Sequence, residues 1–197
     1  MTFLFDIGRV LLDFDFESSL ARLLPPGCPD PHERLARLLE RKDDFETGRI
    51  DPDDYIHWAL GVLGSDASPD EFRHAWQRIF TPNEPMWDRV RQLSAAGHRL
   101  ILFSNTNAIH CPWVFGQYPA FSHFKEAVLS FETGAVKPHP PIYQHALEKH
   151  ALVPQETLYI DDLPQNIATG IEFGFHCHQY DLNDHPAFEQ WLATFPI

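Results

Sequence analysis

Five short apolar runs punctuate the chain, at residues 2–7, 98–104, 126–130, 157–160 and 175–179. Each is rich in β-branched or aromatic residues and bounded by Gly, Asp, Ser or Pro. That is the profile of a strand covered on both faces. Between the last four runs the period becomes helical. Before the second run, Met86, Val90, Leu93 and Gly97 recur at helix spacing, with Gly97 as a natural stop. After the third, Pro140 and Pro141 open a helix with Tyr143, Leu147 and His150 on one face. After the fourth, Ile167, Ile171 and Gly174 repeat the pattern. Strand alternating with helix predicts an α/β fold built on a doubly wound parallel sheet.

Residues 14–80 break that rhythm. Leu35, Leu38 and Leu39 mark one helix. Asp51-Pro52-Asp53-Asp54 caps another, with Tyr55, Trp58, Ala59 and Val62 on its apolar face. Ser68-Pro69-Asp70-Glu71 starts a third, followed by Phe72, Trp76 and Ile79. The expected organisation is a core of residues 1–13 and 81–197, with a small helical cap, 14–80, inserted after the first strand. Ligands of open parallel sheets bind outside the carboxyl ends of the strands. An insertion leaving from the first strand would cover that place.

Polar groups gather at those strand ends. The first strand ends Phe5-Asp6-Ile7-Gly8-Arg9-Val10 and the second Leu102-Phe103-Ser104-Asn105-Thr106-Asn107. Val136-Lys137-Pro138 follows the third, and the fourth ends Tyr159-Ile160-Asp161-Asp162. Singly these are ordinary turn and cap residues; in this order they point to one site. The pattern resembles the haloacid dehalogenase-like (HAD) hydrolase superfamily across essentially the whole chain. It is most similar to the sugar-phosphate phosphatases akin to bacterial glucose-1-phosphate phosphatase, which also read F-D-x-G-x-V, S-N-T-N, K-P and D-D-x-x-x-N. The resemblance implies a Rossmann-like core and a Mg²⁺-dependent phosphatase acting on a small phosphorylated metabolite, with a sugar phosphate as one option.

The residue types suit that chemistry. A phosphate ester is anionic, and Asp6 as nucleophile would split its hydrolysis into two steps through an aspartyl-phosphate. By resemblance, Asp6, Asp161 and Asp162, with the Gly8 carbonyl, hold Mg²⁺, a hard ion suited to oxygen ligands. Ser104 would hydrogen-bond the phosphoryl group, and Lys137 would bring positive charge to it and to the carboxylates. Gly8, Arg9 and Asn105 complete the expected substrate-binding set. Asn166 is read either as orienting the acidic loop or as a helix cap.

One departure stands out. The family's usual general acid/base lies two residues after the nucleophile, and here that position is Gly8. Such a group typically contributes about 10²–10⁴-fold. Asp13 and Asp15 are read as shaping the exit into the insertion. Arg9 is read either as an anion clamp or as a surface side chain with its stem packed. His176 and His178 share a strand face but find no third ligand at suitable spacing, so they are read as strand histidines. Trp58, Trp76 and Trp87 are read as packing. Two alternatives remain: a 2-haloacid dehalogenase-type hydrolase, or a non-catalytic phosphometabolite-binding homologue. The double acid weighs against the first, and the retained Asp6, Ser104 and Lys137 against the second.

Composition narrows the partners. Hydrophobic residues at 44% and aromatics at 13% sustain a core and exclude wholesale disorder. Lys and Arg number 15 against 28 Asp and Glu, a net charge of −13. That excess argues against nucleic acid and anionic membranes, but leaves a locally positive anion site open. The three cysteines, Cys28, Cys111 and Cys177, are far apart, which fits reduced thiols. With no apolar run of membrane length and no signal-peptide pattern, a cytoplasmic protein is expected. Oligomeric state leaves no mark in the sequence.

Overall fold

The structure, a computed structural model, describes residues 1–197. β1 (Thr2–Phe5) turns through a tight loop into β2 (Leu12–Phe14). Then come α1 (Phe16–Leu20), α2 (Pro31–Arg37), α3 (Lys42–Glu46), α4 (Pro52–Leu63) and α5 (Pro69–Gln77). β3 (Phe80–Pro82) returns the chain, and α6 (Glu84–Ala95) leads into β4 (Arg99–Ser104). α7 (His110–Gln117), β5 (Glu126–Leu129), α8 (Ser130–Thr133) and α9 (Pro140–His150) follow. The chain ends with β6 (Thr157–Asp161), α10 (Pro164–Glu172), β7 (His176–Gln179) and α11 (His185–Leu192).

β5, β4, β1, β6 and β7 form one parallel sheet in that order. Alternation along the strands builds two apolar layers. Phe3, Phe5, Leu100, Leu102, Leu158 and Ile160 face one, with Met86, Val90 and Leu93 of α6. Leu4, Ile101, Phe103, Val128 and Tyr159 face the other, with Ile142, Tyr143 and Ala146 of α9. β4, β1 and β6 are therefore covered on both faces, as their unbroken apolar runs require; β7, expected to be covered too, is a polar edge strand with His176 and Gln179 exposed. Phe5 sits opposite both Leu102 and Ile160, so the residues just beyond them emerge together at one rim.

The helices between β2 and β3 have their own core around Leu35, Leu38, Phe45, Tyr55, Ile56 and Phe72. Their starts follow the expected caps. Asp51 accepts from Asp53 N at 2.8 Å, and Ser68 and Glu71 form a capping box. Ile109, from the loop after β4, joins this core, while His110 Nε2 lies 3.1 Å from Trp76 O. The insertion is thus latched to the sheet's carboxyl end. β2 and β3 pair antiparallel, Leu12 with Pro82 and Phe14 with Phe80, as a two-stranded stem. The expected boundaries at 13/14 and 80/81 fall inside this ladder, whose strands are too short to show a period.

His176 bonds Gln155 O at 3.0 Å, and His178 packs on Phe188 and Trp191. Trp87 is buried in the sheet core, Trp76 in the core of the insertion, and Trp58 packs against that core.

Candidate active site

Lys137 organises the carboxyl rim. It is buried, and its Nζ donates to Phe103 O at 2.7 Å and to Asp161 Oδ2 at 2.6 Å. Asp6 Oδ1 lies 3.0 Å away as an ion contact. Asn105 pins the lysine's backbone from both sides: its Nδ2 donates to Lys137 O and its Oδ1 accepts from Lys137 N, each at 2.8 Å. The Asn105 side chain, expected to bind substrate, lines the chamber and positions Lys137 there. Ser130 closes the next turn, donating to Thr106 O at 3.0 Å and accepting from Thr106 N at 2.9 Å.

The two acids of the fourth motif differ. Asp161 Oδ2 accepts from Lys137 Nζ and, at 2.6 Å, from Tyr159 OH. Its Oδ1 accepts from Leu163 N and Asn166 Nδ2, both at 2.9 Å. A carboxylate has about four lone-pair positions, and these four donors meet them, so Asp161, expected as a metal ligand, also anchors Lys137 and the acidic loop. Burial opposes its charge, yet Lys137 and these donors hold it below the ordinary carboxylate value. Asn166 orients the acidic loop, and caps nothing. Asp162 has no such company. Burial, then repulsion from Asp6 and Asp161, pushes it up to about 7.

Asp6 is also raised. Burial is the largest influence; Lys137 opposes it, Asp161 adds to it, and Ser104 opposes. Asp6 Oδ1 accepts no hydrogen bond. Lys137, for its part, is raised: burial disfavours its charge, but Asp161 and Asp6 outweigh that. One oxygen each from Asp6, Asp161 and Asp162 lie within 4.8 Å of one another. Three carboxylates against one ammonium leave unmet negative charge, and an orphaned oxygen with it. That donor set fits a hard divalent cation.

The loop after β1 explains the neighbouring motif residues. Leu11 N and Leu12 N both donate to Ile7 O, and Arg9 adopts φ 57. Arg9 ion-pairs with Asp13, donates to Phe14 O at 3.1 Å and lies over the Phe14 ring at 4.5 Å. Of its two readings, the packed side chain describes it, at the rim of the pocket. A Cβ at Gly8 would meet Phe14 Cε1 at 3.2 Å, so the close ring favours glycine there. Asp15 caps α1 through Ser18 N. Asp13 and Asp15 therefore shape the exit and do not replace the missing acid.

Asp6, Ser104, Lys137 and Asp162 open into a chamber of about 250 Å³ beneath the insertion. Phe16, Phe45 and Trp76 of the insertion wall it, with Lys42 and Glu46 among them. Glu46 was invisible in the sequence: α3 is too short and too polar to show a face.

The haloacid dehalogenase-like hydrolase family matches residues 2–174. The chain is similar to D-ribitol-5-phosphate phosphatase of Bacteroides thetaiotaomicron, 27% identical over 186 residues and 89% of each chain. A HAD-like hydrolase structure from Porphyromonas gingivalis is 28% identical with TM-score 0.77, over 97% of each chain. A HAD family enzyme of Bacteroides thetaiotaomicron, solved with magnesium and inorganic phosphate, shares the fold at TM-score 0.80 and 24% identity, covering 92% of this chain and 94% of that one. The matched span runs through sheet, stem and insertion alike, and the chain belongs to the haloacid dehalogenase-like hydrolase family, as an enzyme of that family whose named relatives include a phosphatase.

Proposed function

We propose that the protein is a Mg²⁺-dependent phosphatase that hydrolyses a small phosphorylated metabolite through an aspartyl-phosphate on Asp6. The observation that carries this reading is the buried Asp6–Lys137–Asp161 chain with Asp162 beside it, facing one chamber. The relative named for D-ribitol 5-phosphate and the relative solved with magnesium and phosphate support it. They also favour a sugar or polyol phosphate as substrate.

Asp6, Asp161 and Asp162, with the Gly8 carbonyl, would hold the ion. When bound, it supplies positive charge against the phosphoryl oxygens and the two carboxylates. Lys137 favours the ionised, nucleophilic form of Asp6, because its Nζ, held by Phe103 O and Asp161, makes an ion contact with Asp6. Asp161 fixes that ammonium, and Tyr159, Asn166 and Leu163 fix Asp161. Ser104, beside Asp6, is placed to donate to the phosphoryl group. The inserted helices act as the cap that shuts the chamber from water.

Hydrolysis of p-nitrophenyl phosphate tests this, with Mg²⁺, with EDTA, and for Asp6→Asn. Turnover that needs Mg²⁺ and Asp6 is expected. Turnover surviving EDTA or D6N would overturn the mechanism. Chloride release from a 2-chloroacid would favour the dehalogenase, and binding without turnover the non-catalytic homologue.

A further inference from the structure

We propose that Glu46, on the cap, is the proton donor and acceptor that Gly8 cannot be. The assignment rests on the phosphatase reading of Asp6. Glu46 lines the same chamber as Asp6, its side chain is 13% exposed, and its Oε2 is buried with no hydrogen-bond partner. Lys42 Nζ is an ion contact at 3.0 Å from that oxygen, one helical turn back. Three other buried polar atoms of residues lining the chamber also lack partners: Asp6 Oδ1, Trp76 Nε1 and Asn166 Oδ1. Nucleophile, acid and indole donor thus share one enclosed space.

Elimination points the same way. His110 lines the chamber, but Asn107 Nδ2 and Trp76 O occupy its two nitrogens, and burial pulls it down to about 3. Tyr55 donates to Leu38 O, and burial drives it upward. Lys137 and Asp162 are already employed. Among the chamber's carboxyl groups outside the Asp6–Asp161–Asp162 set, Glu46 has an oxygen with no hydrogen-bond partner.

The backbone holds it in place. Thr47 N and Oγ1 both bond Asp43 O, closing α3 at its end. Gly48 then takes φ +70 and lies so near Phe131 O that a Cβ would come within 2.5 Å. Phe131 follows Ser130, which is tied to Thr106 beyond Ser104. The cap helix carrying Glu46 is therefore docked on the rim that carries the phosphoryl-binding serine.

The charges around Glu46 suit both halves of the reaction. Burial is the largest influence and raises it; Lys42 opposes, while Asp43 on α3 and Asp6 at the end of β1 add to the rise. Tyr55 faces it from α4. The balance favours the protonated acid that the first step needs. Asp6 forms a bond to phosphorus as the phosphorus–oxygen bond to the leaving group breaks, and the Glu46 proton passes to the leaving oxygen. In the second step the Glu46 carboxylate takes a proton from water as its oxygen attacks phosphorus. The bond to Asp6 breaks, phosphate leaves, and Glu46 is protonated again. Lys42 stabilises the carboxylate between the steps.

Phenyl and p-nitrophenyl phosphate separate the possibilities, because they have similar shapes but leaving groups of different basicity. With Glu46→Gln, kcat/KM for phenyl phosphate should fall about 10²–10⁴-fold, and for p-nitrophenyl phosphate much less. The variant should also release one equivalent of nitrophenol per site in a burst, then slow, because dephosphorylation has lost its base. Wild type should run linearly. Lys42→Met should move the alkaline limb of kcat/KM, the pH at which activity falls as Glu46 ionises, to higher pH. E46Q should lack that limb. Retention of phenyl phosphate activity within about threefold, or equal losses on both esters without a burst, would overturn the assignment. Wild-type inactivity on both esters, or activity surviving in D6N, would instead remove the phosphatase reading itself.

Discussion

β4 carries a charged cluster at each end, and the two are opposites. At the amino end, Arg99 donates from Nε and Nη2 to the two oxygens of Glu126, each at 2.5 Å, and from Nη1 to His150 O at 2.7 Å. Those Arg99 bonds, opposed by burial, hold Glu126 down at about 2. At the carboxyl end, one lysine serves two carboxylates, and Asp6 and Asp162 sit above their ordinary values. A matched, half-open pair lowers a carboxyl pKa; an unmatched, buried set raises it. The amino end spends its charges on holding β4 to β5. The carboxyl end keeps negative charge unmet, which is useful only if a cation and a phosphoryl group come to meet it.

The largest effects test that division. Asp6→Asn should abolish turnover, by about 10⁶-fold as for loss of a nucleophile elsewhere, while leaving Tm unchanged or higher, since an unfavourable buried charge is gone. A thermal melt that drops along with the activity would erase the contrast. Asp161→Ala removes the one member of the carboxyl cluster that is fully satisfied. It strands Lys137, Tyr159 OH and Asn166, so it should cost about 3–5 kcal/mol in urea denaturation, the range for breaking a buried pair. A loss of activity without loss of stability would mean that Asp161 serves the ion and not the anchoring of Lys137.

Asp162 supplies an effect of intermediate size. Its value of about 7 belongs to the ion-free site, and a cation binds the carboxylate, not the acid. Mg²⁺ affinity, followed by calorimetry, should therefore weaken about tenfold per pH unit below 7 and level off above it, with proton release in the lower range. The sign for folding is the reverse of the usual carboxyl case. A raised acid favours the native state while protonated, so the ion-free protein should lose stability as pH rises from 3.8 towards 7, and Mg²⁺ should restore it. Asp162→Asn should flatten both profiles.

How much of this was legible beforehand depends on distance along the chain. Asp6, Ser104, Lys137 and the acid pair each end or follow an apolar strand, and parallel topology alone brings such ends together. The parallel sheet was readable for the same reason. The division of labour within the acid pair was not. It depends on Tyr159, which shares a strand face with Asp161 two residues away, and on Leu163 and Asn166 folding back. Arg9 pairs with Asp13 only because the loop turns through φ 57. Glu46 shares the chamber with Asp6 across a cap-to-core junction at Gly48 and Ile109, and nothing local to α3 encodes that placement.

The amino end predicts the smallest change and the cleanest sign. Glu126→Gln keeps the shape but loses the charge opposite Arg99. The pair is partly solvent-open, with side chains 38% and 32% exposed, so screening limits its worth to about 1 kcal/mol. That corresponds to a Tm lowered by about 2–4 °C for a domain of this size, with kcat/KM unchanged, because the cluster lies at the far end of β4 from Ser104. Glu126 sits at about 2 in the fold against an ordinary 4.5. Its stabilisation is thus fully present above 4.5 and is lost as pH falls towards 2. The difference in stability between wild type and E126Q should shrink on acidification across that window. A gap that holds constant to the bottom of it would mean that Arg99 and Glu126 are joined by packing and not by charge, and the contrast between the two ends of β4 would lose its electrostatic basis.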